Sequence, residues 1–222
     1  MEKTIIHIST RIREACPQLA LAIITCEVAN SVTSAGFWME MEGEISRIKA
    51  TYSLEEINKR PEIQATRKVY KLLGKEPNRY RPSAEALCRR IVREIPVYKV
   101  STLVDIINLV SIRSGFSIGG FDLAKIRGNV ELGVGASTDD FEAIGRGMLN
   151  VEGLPIYRDE TGGIGTPTSD NERTKISDDT TQLLMIINGY GGTAGLQEAV
   201  DHAMELLGKY AGLKEYEVEW IE

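Results

Sequence analysis

Ser101-Thr102-Leu103-Val104-Asp105-Ile106-Ile107-Asn108-Leu109-Val110-Ser111, running on through Gly115 to Gly119-Gly120-Phe121-Asp122-Leu123, is the stretch whose reading decides the fold. Leu103, Ile106, Ile107 and Val110 recur at helical spacing and predict a helix begun near Ser101 or Thr102 with one buried side. Ser101 is a candidate N-cap, with Asp105 reinforcing the start. Asp105 and Asn108 lie three residues apart and share a face, so the helix is expected to present two polar groups together at one end of an apolar wall. The competing reading is that both only bond local backbone, which Asp and Asn side chains favour. The helix should stop at Gly115. Beyond it, Gly119 and Gly120 allow backbone to approach a ligand or another strand closely, which suits a narrow slot and equally a tight turn.

Upstream lies Arg79-Tyr80-Arg81-Pro82-Ser83-Ala84-Glu85-Ala86-Leu87-Cys88-Arg89-Arg90, part of a basic region. Residues 59–99 hold twelve Lys and Arg against four Glu, a surplus of +8, while the whole chain carries -6 and the remainder therefore -14. The pI of about 5.2 argues against an indiscriminate nucleic-acid binder. A segregated basic stripe on an acidic body can still dock a nucleic acid through its phosphates. The alternative is a pair of solvated helices whose cations pair with acidic neighbours.

At 222 residues, 42% hydrophobic and 26% charged, the chain can bury one sizeable core and fits one domain, residues 1–222. No apolar run reaches membrane-spanning length and the first residues do not read as a signal peptide, so a cytoplasmic protein without a membrane segment is expected. Cys16, Cys26 and Cys88 are widely spaced and predict buried free thiols. With only His7 and His202 to add, no metal and no cofactor is expected.

Further along the chain, residues 3–9 predict a short strand and residues 17–29 a second, buried one. Residues 37–58 predict a long helix with Trp38, Met41, Ile45, Ile48 and Tyr52 in step, breaking near Ser53. Residues 62–73 and 84–93 predict two more helices, the second capped by Ser83. After Gly128 the texture turns to β: 130–134, 154–157 and 180–188 read as strands between glycine-rich turns. A helix from Thr193 or Ala194 to Tyr210 places His202 on its solvated face, and 216–221 alternates as an edge strand. Helices early and strands late predict an α+β fold rather than a doubly wound sheet.

Gly133-Val134-Gly135, Gly145-Arg146-Gly147, Gly162-Gly163-Ile164-Gly165 and Gly189-Tyr190-Gly191-Gly192 lack the spacing of a dinucleotide fingerprint or a P-loop. There is no G-x-S-x-G elbow, and neither histidine suits a Ser-His-Asp triad.

Residues 79–128, and more loosely those up to 187, resemble the tRNA-editing domain of the phenylalanyl-tRNA synthetase beta subunit in its free-standing version. Asp105, Asn108, Gly115, Phe121, Asp122, Leu123, Ile126 and Gly128 fall in register with that family's pattern. The resemblance implies an α+β fold with a β-sandwich-like core flanked by helices, and an activity that hydrolyses the ester joining a wrong amino acid to tRNA. It also shows two departures. The family's histidine two places before the phenylalanine-aspartate pair is Gly119 here, and its glutamate six residues after the threonine that leads a strand is Ile186.

Three readings follow. One is an editing factor acting in trans on mischarged aminoacyl-tRNA, with Asn108 holding substrate or water, Glu85 as candidate base and Arg81 as oxyanion or phosphate partner. Ser83, Asp105, Gly119, Gly120 and Asp122 are then candidates to line the substrate slot, and Arg79, Arg89, Arg90 and Arg93 to hold RNA. The second is a non-catalytic tRNA or aminoacyl-adenosine binding module, consistent with the missing histidine and glutamate. The third is a hydrolase or binder of an unrelated small molecule, consistent with the acidic pI.

Overall fold

The computed structural model describes residues 4–222. Of the strand expected over 3–9, Lys3 lies outside the described residues, and the strand itself, β1, is Ile6–Ile8. A short helix α1, Thr10–Ala15, follows, and then β2, Ala20–Glu27, a shorter strand than the apolar run 17–29 suggests. Helix α2, Ala35–Thr51, starts on Ser34, whose Oγ accepts from Phe37 N at 3.3 Å. It ends seven residues before the expected boundary, because Tyr52 is already extended and Ser53 N turns to the Glu56 carboxylate at 2.8 Å. The remaining helices are α3 (Pro61–Leu72), α4 (Ser83–Val92), α5 (Thr102–Ser114) and α6 (Leu196–Tyr210). The further strands are β3 (Ile118–Asp122), β4 (Val130–Val134), β5 (Glu142–Ala143), β6 (Gly147–Met148), β7 (Pro155–Asp159), β8 (Gly162–Gly165), β9 (Gln182–Gly189) and β10 (Tyr216–Ile221). The glycine cluster 162–165 is strand β8, and of the two options for Gly119-Gly120, close approach to another strand or a tight turn, the structure has the first, in β3.

Two four-stranded sheets face each other, ordered β1-β4-β7-β8 and β10-β2-β9-β3, with a small β5-β6 hairpin beside them. The second sheet is antiparallel throughout, with β10 at its edge as expected. Side chains alternate across a strand, and in β2 both sets are apolar and buried. Leu21 and Ile23 point between the sheets, together with Leu184 and Ile186 of β9, Phe121 of β3, Leu132 of β4 and Tyr157 of β7. Ala20, Ala22, Ile24 and Cys26 point the other way, against α2, α4, α5 and α6, together with Met185 and Ile187. The result is a β-sandwich with helices over one of its outer faces, the α+β architecture expected from the sequence.

The three cysteines are buried free thiols, and burial pushes Cys16 up to about 11 and Cys26 to about 12. No helix among the described residues is long and apolar enough to cross a membrane. His202 is half-buried, its Nε2 3.3 Å from Arg113, so the freely solvated histidine expected from the helix pattern is corrected. Burial and the Arg113 charge hold it below its ordinary pKa.

Ile186 is fully buried between the sheets, in register with Gly119. Replacing it with alanine should lower stability by about 2–5 kcal/mol, the cost of a large-to-small change in a packed core, measured by urea denaturation against wild type.

Candidate functional site

A cavity of about 840 Å³ opens where α4 and α5 meet β3 and the loop that follows β8. Helix α5 supplies one wall with Val104, Ile107, Asn108 and Ser111, a single face at i, i+3, i+4 and i+7. Helix α4 and its flanks supply the rim: Arg79, Arg81, Arg89, Arg90 and Arg93 all line the cavity, joined by Arg146 and Lys175 from later in the chain. The basic region is therefore partly a stripe. Three of its other members, Arg60, Arg67 and Lys75, hold the fold. Arg60 donates to Ile112 O at 2.8 Å and Arg113 O at 2.9 Å, closing the end of α5, while Lys75 donates to Asn150 O and Glu152 O.

Glu85 does not line this cavity. It is 1% exposed, with Oε2 2.8 Å from Arg67 Nη1, and Oε1 3.9 Å from Arg81 Nε and 4.0 Å from Arg89 Nη1. A carboxylate held by three guanidiniums acts as a counter-ion, not as a base that reaches substrate. The pairing of Glu85 with Asn108 in one pocket is corrected accordingly. What Glu85 does is fix the roots of two rim arginines. Ser83 lines the cavity, but it is the first residue of α4 rather than its cap: its N–H donates to Pro167 O at 2.7 Å.

Asn108 and Asp105 part company. The Asn108 amide lines the cavity and makes no hydrogen bond among the described residues. Asp105 is buried and turned toward the loop before α5, accepting from Thr33 Oγ1 at 2.5 Å and Val100 N at 3.1 Å. Burial raises its pKa, with those two bonds opposing. Asp122 is likewise engaged elsewhere, capping Ala124 N at 3.2 Å and accepting from Thr180 Oγ1 at 2.9 Å and Lys125 Nζ at 3.2 Å. The two glycines also divide. Gly120 lines the cavity under Ile107, whose Cδ1 is 2.3 Å from where a Cβ would stand. Gly119 faces the space between the sheets, where the Phe121 ring lies 2.7 Å from the corresponding point. Positions 119 and 186, which depart from the resembling family, pair across β3 and β9 and do not line the cavity, although Asp170 Oδ1 lies 3.8 Å from where a Cβ on Gly119 would stand.

The residue that pattern reading missed is Asp170. It is the one carboxylate among the described residues lining the cavity, its Oδ2 accepting from Gly120 N at 3.2 Å. Being surrounded by protein pushes it up to about 7, against the opposing pull of that N–H. Its loop is built from local chemistry. Thr166 Oγ1 accepts from Thr168 N and Ser169 N, Pro167 O takes the Ser83 N–H, and Thr168 Oγ1 meets the Tyr70 hydroxyl at 2.9 Å. Beyond Asn171, Arg173 clamps Asp159 of β7 at 2.7 and 3.0 Å. The sequence signal was Thr166-Pro167-Thr168-Ser169-Asp170-Asn171, a run of turn formers whose side chains bond backbone. Gly165 is needed beside it, since a Cβ there would sit 2.6 Å from the Phe121 ring and 2.7 Å from Asp170 Oδ1. Among the described residues no group of three His, Cys, Asp or Glu is gathered that would hold a metal ion.

Residues 65–212 match the model of the B3/4 domain family. No curated protein matches the chain. Among solved structures it is similar to an N-terminal fragment of the phenylalanyl-tRNA synthetase beta-subunit from Pyrococcus horikoshii, with 14% identity and a TM-score of 0.49, over 96% of this chain and 50% of that one. The chain spans about half the length of the solved fragment it matches.

Glu85→Gln should destabilise the fold by about 3–5 kcal/mol in urea denaturation, because it leaves the largely buried Arg67 without its counter-ion. Asp170→Asn should act in the opposite sense. A carboxyl whose pKa is raised on folding keeps its proton while the unfolded chain releases it, so stability falls as pH rises from about 4 to about 7. The asparagine variant should therefore be more stable than wild type at pH 8, with the difference vanishing below about pH 4. Thermal unfolding across that pH range checks this.

Proposed function

The chain belongs to the B3/4 domain family, the editing-type domain of the phenylalanyl-tRNA synthetase beta subunit, and on that premise we propose that it binds the acceptor end of tRNA in the arginine-rimmed cavity and hydrolyses a wrongly attached amino acid from it. One observation carries this reading: a single carboxylate, Asp170, lines a cavity whose other charged lining residues are all cationic. Five arginines from one short segment suit the phosphates of the acceptor end. The apolar wall of Leu87, Ile107, Ile118 and Ile176 suits the body of an aminoacyl group.

Asp170 is the general base in this scheme. Its ionised form takes a proton from water, the resulting hydroxide oxygen bonds the ester carbonyl carbon, and the carbonyl π electrons move onto oxygen as an oxyanion. The uncommitted Asn108 amide and the Ser83 hydroxyl are the neutral donors for that charge, with Arg81 the cationic one. Collapse re-forms the carbonyl and breaks the bond to the ribose oxygen, which takes the proton back from Asp170. The products are the free amino acid and uncharged tRNA. A pKa near 7 suits this work, since about half of the base is ionised at neutral pH and its conjugate acid can still return the proton.

A non-catalytic binding module is the second reading, favoured by the absence of polar side chains at Gly119 and Ile186, the two positions where the resembling family carries them. One experiment separates the two: incubation of the protein with a panel of mischarged tRNAs, with release of the amino acid as the readout. Wild type should deacylate at least one of them. Its kcat/KM should rise with pH to a plateau above about 7, because the base must be ionised. Asp170→Asn should lower kcat by about 10²–10⁴-fold with tRNA affinity little changed. Salt-dependent binding of tRNA by wild type without release of any amino acid would favour the second reading.

A further inference from the structure

Residues 95–100 cross the surface between the arginine-rimmed cavity and a second one of about 530 Å³, lined by Thr33, Trp38, Met39, Lys99 and Asp105, and Val100 lines both. Along this crossing, apolar side chains stand in the open: Tyr98 is 57% exposed, Val100 62% and Met39 73%. Such a strip on a folded surface marks a contact site. Its two aromatics share one arrangement. The Arg90 guanidinium lies 4.1 Å from the Tyr98 ring centroid and reaches the phenol oxygen at 3.1 Å, which leaves the rest of the exposed ring open. Lys99 Nζ lies 4.5 Å from the Trp38 ring centroid inside the second cavity. Aromatic faces backed by cations and set beside a row of arginines are the equipment for stacking bases while phosphates are held. A peptide partner would use the apolar side chains but leave the adjoining arginines without anions.

We propose that Tyr98 and the Trp38-lined cavity form a track for two unpaired nucleotides, leading away from the arginine-rimmed cavity. Tyr98 stacks on the first base, and the second cavity receives the next base against Trp38. Arg90 fixes the Tyr98 ring, and Arg93 and Arg146, on the same rim, supply cations for the connecting phosphates. The track rests on the reading of the main cavity as an acceptor-end site and adds to it the nucleotides that precede the terminal ribose.

The test is fluorescence anisotropy with a labelled single-stranded oligoribonucleotide ending in adenosine, titrated with wild type, Tyr98→Leu, Tyr98→Phe and Arg81→Glu. Tyr98→Leu should weaken binding about 5- to 150-fold, the range for losing one base-stacking aromatic, whereas Tyr98→Phe should stay within about two-fold. The slope of log affinity against log salt should be unchanged in Tyr98→Leu, since no phosphate contact is lost, and shallower in Arg81→Glu. In a Trp220→Phe background, where Trp38 is the sole tryptophan, the same oligoribonucleotide should quench tryptophan emission. Tyr98→Leu binding as tightly as wild type, or Trp38 emission unmoved at saturation, overturns the track while the Arg81 salt response still reports the main cavity. Absence of any binding by wild type overturns the track together with the acceptor-end reading.

Discussion

Burial of β2 and β9 on both of their faces is the constraint on which the rest of the structure depends. A strand that is apolar on both faces must have a layer above it and a layer below it. For β2 and β9 the first layer is the β1-β4-β7-β8 sheet and the second is the helical group α2, α4, α5 and α6. Once those layers are in place, the positions along β3 have little freedom. Gly119 and Phe121 fall toward the sandwich and Gly120 toward α5, so that only Gly120 is left beside the opening under Ile107.

The cavity exists because two polar constructions hold its rim and its floor against this apolar frame. At the rim, Glu85 gathers Arg67, Arg81 and Arg89, so the cationic edge is anchored by a buried carboxylate instead of drifting in solvent. At the floor, the loop after β8 is pinned to α4 through Pro167 and Ser83, to α3 through Thr168 and Tyr70, and to β7 through Arg173 and Asp159. The Asp159 carboxylate is pushed up by burial but held below its ordinary value by Arg173 and two backbone N–H groups. Asp170 is held by the Gly120 N–H and by no such cation among the described residues, and moves the other way. Two aspartates eleven residues apart thus titrate in opposite directions, one held by a guanidinium and the other not.

Sequence reading and structure diverge most over which carboxylate belongs to the cavity. Glu85 stood in a basic, helix-starting segment, which made it conspicuous. The same arginines that made it conspicuous consume it as their counter-ion. Asp170 stood in a plain run of turn formers, with nothing in its neighbours to suggest that Gly120, fifty positions earlier, would supply its N–H. The three-residue spacing of Asp105 and Asn108 allows a shared polar face or separate local bonds, and α5 lies so that Asp105 bonds the Thr33 and Val100 loop while Asn108 lines the cavity.

By itself the sequence determined what depends on neighbours along the chain: the period of α5 and its stop at Gly115, the buried apolar β2, a strand at β9, the amphipathic α6, the alternating β10 and the cluster of arginines before and within α4. Hydrophobic period and turn chemistry are local signals, and they were enough for the α+β class and for most elements. The tertiary structure alone decided which glycine of the 119–120 pair looks into the cavity, which five of the twelve cations reach its rim, and which acid sits at its floor. Each of these is settled by contacts between residues tens of positions apart, where burial and charge pairing, rather than local propensity, choose the side chain's surroundings.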